Sequence, residues 1–111
     1  MLVGRSSPFG GQTRTRVLLV LSLLAQSYAR ELARLLGVSL NAVQVALRGL
    51  ERDGLVAAQP MGRTRLYTLD PRYFARDELV RYLRRLAQPE TDLQDRVAAL
   101  RRRPRRTGKP A

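Results

Sequence analysis

The sequence predicts a mainly α-helical domain with one two-stranded β-hairpin, and three observations lead to that fold class. Apolar residues recur at helical spacing through most of residues 12–100, as in helices that share one core. Two short segments of strand character, 55–59 and 65–69, flank a turn with the sequence PMGRT, which predicts a hairpin. A chain of 111 residues with 44% hydrophobic residues is sufficient for one domain.

The first helix is predicted to begin at Gln12 or Thr13 and to end at Ala25. It is apolar on almost every side, so we expect it to be covered from more than one direction. The same apolar run follows two arginines and has the outline of a secretory signal peptide. It is much shorter than the roughly 20 residues of a membrane-spanning helix. Cleavage of this segment as a signal peptide would remove a neighbour that the next helix needs. We therefore expect the segment to be retained and the protein to be cytoplasmic.

Two further helices are predicted before the hairpin. The second helix covers 28–36, with Ser27 as its N-cap and Gly37 as the residue that ends it. The third covers 40–53, with Ser39 as its N-cap. Their apolar residues fall at intervals of three and four, so each helix has one buried side.

The chain after the hairpin is predicted to be helical again. Asp70 and Pro71 are the expected N-cap and first residue of a fourth helix, with Tyr73 and Phe74 packed near its start. Pro89 ends this helix. A last helical stretch that stops at Pro104 has an apolar stripe formed by Leu93, Val97 and Leu100.

Charge is the strongest compositional feature. The chain has 21 basic and nine acidic residues, a formal net charge of +12, which predicts a polyanionic partner such as nucleic acid or an anionic membrane surface. Residues 1–70 have nine arginines against four acids, 71–95 have five of each, and 96–111 have seven basic residues and no acid. Cysteine and histidine are absent, which excludes thiolate or imidazole metal sites and His-based catalysis. An enzyme of another kind would need a different polar constellation, and the sequence shows none, so we predict no enzyme, no cofactor and no metal site.

The spacing of Ala33, Gly37 and Val43 is typical of a helix-turn-helix, in which a small residue, a turn glycine and an anchoring aliphatic residue recur. The segment YARELARLLGVSLNAVQVALRGLERDGLVAAQPMGRTRLYTLDP resembles the winged helix-turn-helix of ArsR- and MarR-like bacterial regulators. It is similar also to small winged-helix domains that open with F-G-x-x-x-R-x-R, here Phe9-Gly10 and Arg14-Thr15-Arg16.

This resemblance implies a sequence-specific regulator that binds double-stranded DNA and is nucleoid-associated. The third helix would enter the major groove, and the hairpin would be the wing on the backbone or minor groove. ArsR-type metal sensors use cysteines and histidines, so metal sensing does not carry over. The resulting division is an N-terminal arm (1–11), a winged helix-turn-helix core (12–70), C-terminal helices for packing or dimerisation (71–103) and a basic disordered tail (104–111).

The predicted DNA contacts of the third helix are its outward residues. Asn41 and Gln44 have amides that can bond adenine, and Arg48 can bond guanine or a phosphate. Apolar side chains offer contact to thymine methyl groups. Because only one arginine projects from this face, we expect a site whose centre leans toward A·T. An alternative is that these polar side chains are only solvated. The full predicted set is Ser39, Leu40, Asn41, Gln44, Val45 and Arg48.

Further predicted contacts come from the wing and from the second helix. Wing residues Arg63, Thr64 and Arg65 would reach the minor groove or the phosphates, unless they form an ordinary charged turn. Tyr28 and Arg30 would bind phosphate, and the arginines of 101–106 are either a non-specific electrostatic arm or a solubilising terminus.

The first helix has more apolar surface than one small winged helix covers, so its second side is covered either by the helix from Pro71 to Gln88 or by a partner subunit. The apolar stripe of the last helix suits a two-helix seam. A homodimer is expected, because two half-sites one helical turn apart give a small domain usable affinity. No effector pocket is indicated. The rival interpretation is a protein-interaction winged-helix adaptor, for example a partner of a nucleotidyltransferase or of a toxin–antitoxin system, with only non-specific nucleic-acid binding.

Overall fold

The computed structural model describes residues 9–102, which form five helices and one three-stranded antiparallel sheet. Residues 1–8 of the predicted arm, and the predicted tail 104–111 together with Arg103, lie outside the described residues. The mainly helical fold class is confirmed. The elements in chain order are α1 (Gln12–Leu24), β1 (Gln26–Tyr28), α2 (Ala29–Leu36), α3 (Leu40–Arg52), β2 (Val56–Met61), β3 (Thr64–Leu69), α4 (Arg76–Ala87) and α5 (Thr91–Arg102).

Helix α1 is the centre of the core. Six consecutive residues, Val17 through Ser22, are buried, and α1 packs against α3, α4 and α5. We predicted that this helix is covered from more than one direction, and other helices of the same chain cover it. Burying every side of α1 fixes the positions of the helices around it, because closely packed interiors leave little room for displacement.

The sheet has a third strand that the sequence analysis did not predict. In β1, Gln26 pairs with Thr68 and Tyr28 with Leu66, so β3 lies between β1 and β2. The prediction that Ser27 is the N-cap of α2 was therefore wrong. Ser27 is buried within β1, and its Oγ lies 2.7 Å from Oε1 of Glu31. Three residues are too few to show an alternating pattern, and their hydrogen-bond partners lie some forty positions further along the chain.

The helix-turn-helix forms from local signals. Gly37 takes a left-handed conformation (φ 68°), and its N–H donates to the carbonyl of Ala33 at 2.9 Å, which closes α2. Ser39 is the N-cap of α3, as predicted, because its Oγ accepts a hydrogen bond from the N–H of Ala42 at 3.0 Å. The turn between α2 and α3 is thereby capped on both sides.

The wing is longer and its turn tighter than predicted. The β2–β3 register reaches Met61 opposite Thr64, so the turn consists of Gly62 and Arg63 alone. Gly62 has φ 64°, and Arg63 does not share the positive φ, the pattern of a type II′ hairpin turn. Pro60 lies on the edge strand β2, where its missing N–H removes no ladder bond to a further strand.

The start of α4 was predicted wrongly. Asp70 accepts a hydrogen bond from the backbone N–H of Arg72 at 2.9 Å, which makes a local turn rather than a helix cap. Helix α4 then begins only at Arg76, and Phe74 is 92% exposed instead of packing against the core. Tyr73 remains half-buried.

Helix α5 covers the other flank of the core. Leu93 and Val97 are buried against the rest of the chain, and Leu100 packs on the same core while half-buried. The helix contacts α1, α2 and α4. The apolar stripe of α5 was expected to pack against a partner helix. It packs instead against helices of the same chain.

Candidate nucleic-acid interface

One side of α3 faces solvent and presents four of the predicted DNA-contacting residues. Asn41, Gln44 and Arg48 are exposed, and Val45 is 53% exposed. They lie at helical positions i, i+3, i+4 and i+7, so they share one face. The opposite side of α3 is buried in the core through Val43, Ala46, Leu47 and Leu50. The buried side fixes which way the polar face points.

At the start of α3, two of the predicted contact residues already take part in the fold. Leu40 is half-buried, and the hydroxyl of Ser39 is already engaged as the N-cap acceptor. The hydroxyl proton of Ser39 is not used in this cap, because the oxygen is the acceptor. The N-cap hydrogen bond stabilises the first turn of α3, so Asn41 projects from an ordered part of the helix.

The other end of α3 is anchored to α1 by a contact that the sequence analysis did not foresee. Nη2 of Arg14 lies 2.5 Å from Oδ2 of Asp53, and the guanidinium passes directly over Gly49. A Cβ atom at Gly49 would lie 2.5 Å from Nη1 of Arg14. The hydrogen bond from Arg14 holds the pKa of Asp53 below its ordinary value. Arg14 belongs to the F-G-x-x-x-R-x-R segment, and in the structure its position is that of a clamp between α1 and α3.

A signal for this clamp was present in the sequence. Gly49 lies inside a helix, where glycine costs about 1 kcal/mol relative to alanine. A glycine in such a position indicates a close approach of another group. In the structure that group is the Arg14 side chain.

A shallow groove of about 570 Å³ runs between the start of α1 and the exposed face of α3. Gln12 and Thr13 line one side, and Arg48 and Arg52 line the other. Arg52 was not among the predicted site residues, because it follows the last turn of apolar spacing and has no distinctive local pattern. The groove extends the basic surface of α3 toward the first helix.

The wing residues separate into two groups. Arg63 lies in the turn and is exposed, and it has no ion-pair partner among residues 9–102. Thr64 is the first residue of β3 and is exposed as well. Arg65, in contrast, has its Nη2 3.1 Å from Oε2 of Glu51 in α3, and its guanidinium carbon lies 6.0 Å from the ring centre of Tyr67. Arg65 thus connects the wing to the end of α3.

The two residues predicted at the start of the second helix also differ. Tyr28 is half-buried and belongs to β1, and it is at the same time the N-cap position of α2. Arg30 is exposed on the first turn of α2. Only Arg30 has a side chain that is free to move toward a phosphate at this helix end.

Across 9–102 there is no cluster of carboxylates that could hold a metal ion. No helix within this range has the length and apolar character required to cross a bilayer.

Comparison with known proteins identifies the fold. Neither a protein-family model nor a curated protein matches the sequence. Among solved structures, the adhesin competence repressor AdcR from Streptococcus pyogenes superimposes with a TM-score of 0.61 at 18% identity, over 78% of this chain. HlyU from Vibrio cholerae superimposes with a TM-score of 0.56 at 25% identity, over 73% of this chain and 79% of HlyU.

Both neighbours are winged-helix transcription regulators, AdcR of the MarR type and HlyU of the ArsR type. The resemblance seen in the sequence is therefore confirmed at the level of the fold. The chain spans 64% of the length of AdcR. The third strand β1 departs from the predicted two-stranded hairpin.

Proposed function

We propose that this winged-helix chain is a sequence-specific regulator of transcription that binds double-stranded DNA with α3 in the major groove. The observation that carries the proposal is the exposed face of Asn41, Gln44, Val45 and Arg48 on a helix whose other side is locked in the core. The major groove admits a helix and shows a distinct donor and acceptor pattern for each base pair. The formal charge of +12 supplies the attraction to phosphate.

The base contacts follow from the chemistry of these side chains. The amides of Asn41 and Gln44 match the N6 and N7 positions of adenine. Arg48 bonds guanine or a phosphate at the groove edge, beside Arg52. Leu40 and Val45 contact thymine methyl groups. The preferred site is therefore expected to be rich in A·T pairs at its centre.

The remaining contacts position the domain on the backbone. Arg63 and Thr64 at the wing tip reach the backbone or the minor groove, while Arg65 holds the wing against Glu51. Arg30 binds phosphate at the start of α2, with Tyr28 beside it. We assign no catalytic activity, cofactor or metal to the chain.

In this proposal residues 12–70 are the DNA-binding core and 71–103 are helices for packing and dimerisation. The protein would act as a cytoplasmic, nucleoid-associated homodimer on two half-sites, with the basic segment 104–111 as a non-specific arm. That AdcR is named a repressor supports a role in regulation.

The test is selection of bound duplexes from a random pool at two salt concentrations, followed by sequencing. We expect a short motif that survives the higher salt and disappears in the variant Asn41→Ala/Gln44→Ala. The matched control Arg84→Ala, on the exposed surface of α4, should return the same motif as the wild type. Binding that is motif-free and lost at higher salt would refute sequence-specific regulation and would favour the adaptor interpretation.

A further inference from the structure

The outer side of α4 carries three arginines in the second half of the helix. Arg81, Arg84 and Arg85 are exposed, whereas the opposite side of α4 is buried in the core. At about 3.6 residues per turn, the three positions share roughly a third of the helix circumference, on the solvent side. Residues 79–88 contain these arginines and no acid. We name Arg81, Arg84 and Arg85 the α4 basic face.

The charges of the α4 basic face are not neutralised by the described part of the chain. Within residues 9–102 none of its guanidinium groups forms an ion pair with a carboxylate. Arg85 donates a hydrogen bond to the side-chain oxygen of Gln88 at 2.7 Å, which is a neutral partner. The acids of α4, Asp77 and Glu78, are in its first turn, and Asp77 lies 3.5 Å from Arg76. The face therefore presents three positive charges to solvent.

The helix dipole accounts for only part of this pattern. Arg84 and Arg85 are in the last turn of α4, where cations are favourable. Arg81 lies a full turn earlier, and the effect of the dipole falls off within the last turn. Arg81 and Arg85 are four residues apart, a spacing at which like charges destabilise a helix. A polyanion bound to the face would relieve this repulsion.

The α4 basic face and the proposed DNA-binding face are on different elements. Helix α1 packs against both α3 and α4, and within residues 9–102 α3 and α4 do not pack extensively on each other. Packed helices lie about 8–10 Å apart, so two helices that share α1 without packing together lie on different sides of it. The exposed side of each points away from the core. The two basic surfaces therefore point in different directions.

We propose that the α4 basic face binds the phosphate backbone of a second segment of duplex DNA, so that one protein holds two duplexes together. The inference rests on the proposed function only in assigning α3 and the wing to the first duplex. A duplex carries one negative charge per about 1.7 Å of its axis. The three arginines span about 6 Å of helix and can thus meet several phosphates. Contacts of this kind do not depend on base sequence.

The composition of the face favours DNA over a protein partner. Its centre consists of arginines, and Tyr82, which is 45% exposed, lies at its edge. The buried centres of protein–protein interfaces are depleted in charge, whereas protein–DNA interfaces are strongly positive. The same face of a second copy is an unsuitable partner, because like charges would lie opposite each other.

The experiment measures capture of a second duplex by the full chain at physiological ionic strength. A random-sequence duplex of about two helical turns is fixed to beads, and the protein and a fluorescent copy of the duplex are added. We expect the wild type to retain the fluorescent duplex. In Arg81→Gln/Arg84→Gln/Arg85→Gln the amount captured per bound protein should fall about tenfold or more, since three phosphate contacts are lost.

Two measurements show that this variant differs from the wild type only at the face. Glutamine has nearly the helix propensity of arginine, so the urea midpoint should be close to that of the wild type. Fluorescence anisotropy should show little change in affinity for the first duplex. The variant Arg81→Lys/Arg84→Lys/Arg85→Lys keeps the charge and should still capture the second duplex.

The basic tail provides a control of equal charge. Arg103→Gln/Arg105→Gln/Arg106→Gln removes three positive charges as well, from a segment proposed to be a non-specific arm. It should weaken binding of both duplexes alike and leave the capture per bound protein unchanged. If it reduces that capture as much as the α4 variant does, net charge is the cause and the proposal is wrong.

Three further results would overturn the proposal. One is a wild type that captures no second duplex, and another is equal capture by the wild type and the glutamine variant of the face. A third is loss of affinity for the first duplex in that variant, which would place the arginines on the same duplex as α3. Polyglutamate is the probe for an acidic polypeptide. Binding of polyglutamate through the face, without capture of DNA, would assign the face to a protein partner instead.

Failure of this inference is distinguishable from failure of the proposed function. The capture experiment uses duplexes of random sequence, so its result does not require a recognition motif. A wild type that selects a motif but needs no α4 basic face for capture would contradict the inference alone. A wild type that captures the second duplex through this face but selects no motif would contradict the proposed function alone.

Discussion

Nη1 of Arg96 in α5 donates a hydrogen bond to the carbonyl oxygen of Leu35 in α2, at 2.8 Å and across 61 positions of the chain. The carbonyl is in the last turn of α2, where no helical N–H remains to satisfy it. The positive guanidinium also complements the negative end of the helix. Arg101 makes the same kind of contact with the carbonyl of Leu23 at the end of α1. Helix α5 thus caps α1 and α2 of the winged-helix core.

Loss of the Arg96 contact should loosen the helix-turn-helix. We expect Arg96→Met to lower the free energy of unfolding by about 1 kcal/mol, because one charge-assisted hydrogen bond on a partly exposed side chain is removed. Urea denaturation measures the change. Arg84→Met is the control, since Arg84 is exposed on α4 without an ion-pair partner in the described chain. Equal loss in the two variants would contradict a specific role for Arg96.

The Arg14 clamp predicts that one substitution has opposite effects in two backgrounds. In an Arg14→Ala protein, Gly49→Ala should stabilise by about 0.5–1 kcal/mol through helix propensity. In the wild type the new methyl group would occupy the place of the guanidinium and break its contact with Asp53, which offsets or reverses that gain. A four-member cycle of unfolding free energies gives the coupling. Additive effects of the two substitutions would show that Arg14 does not lie over Gly49 in solution.

Two carboxylates contribute to the acid end of the stability profile. The pKa of Asp53 is lowered by the hydrogen bond from Arg14, and the pKa of Asp70 by the hydrogen bond from the backbone N–H of Arg72. Since the folded pKa lies below the ordinary value of 3.8, the ionised forms favour the folded state. Their contribution is complete above about pH 5 and is lost as the pH falls through the folded pKa.

This sign can be checked with one variant. The stability difference between the wild type and Asp70→Asn should be largest at neutral pH and should shrink as the pH falls below about 4. The chain has no histidine, so urea midpoints should be flat between pH 6 and 8. A difference that grows on acidification would mean that the Asp70 pKa is raised instead.

The two wing arginines should differ in their contribution to the salt dependence of DNA binding. We expect Arg63→Ala to reduce the slope of log K against log salt by about 0.9, the value for one lost phosphate contact. Arg65→Ala should change this slope less, because its charge is already paired with Glu51. Fluorescence anisotropy at several salt concentrations measures both slopes. A larger change for Arg65 would place that residue on the DNA backbone.

Glu51 provides the complementary test of the wing contact. If Arg65 holds the wing against α3, exchange of the two charges in Glu51→Arg/Arg65→Glu should restore much of the affinity that either single change removes. The same double variant would remain as weak as the singles if Arg65 acted on DNA directly.

The sequence by itself determined the elements that depend on neighbouring residues. Ser39 caps α3 through a hydroxyl three residues away, Gly37 and Gly62 take positive φ at their own positions, and the apolar spacing orients α3. Each of these signals acts within one or two turns of chain, so the pattern and the structure are linked by short-range sterics and hydrogen bonding. The winged-helix fold class follows from them.

The tertiary structure decided what depends on distant partners. β1 exists because Gln26–Tyr28 meets β3, and Arg65 is drawn to Glu51 rather than left free. The position of Arg14 depends on Asp53, 39 residues away. Because of the local turn at Asp70, α4 begins later in the chain than predicted, and Phe74 is exposed to solvent. Contacts of this kind carry no local periodicity, because the residues that make them come together only when the core around α1 has formed.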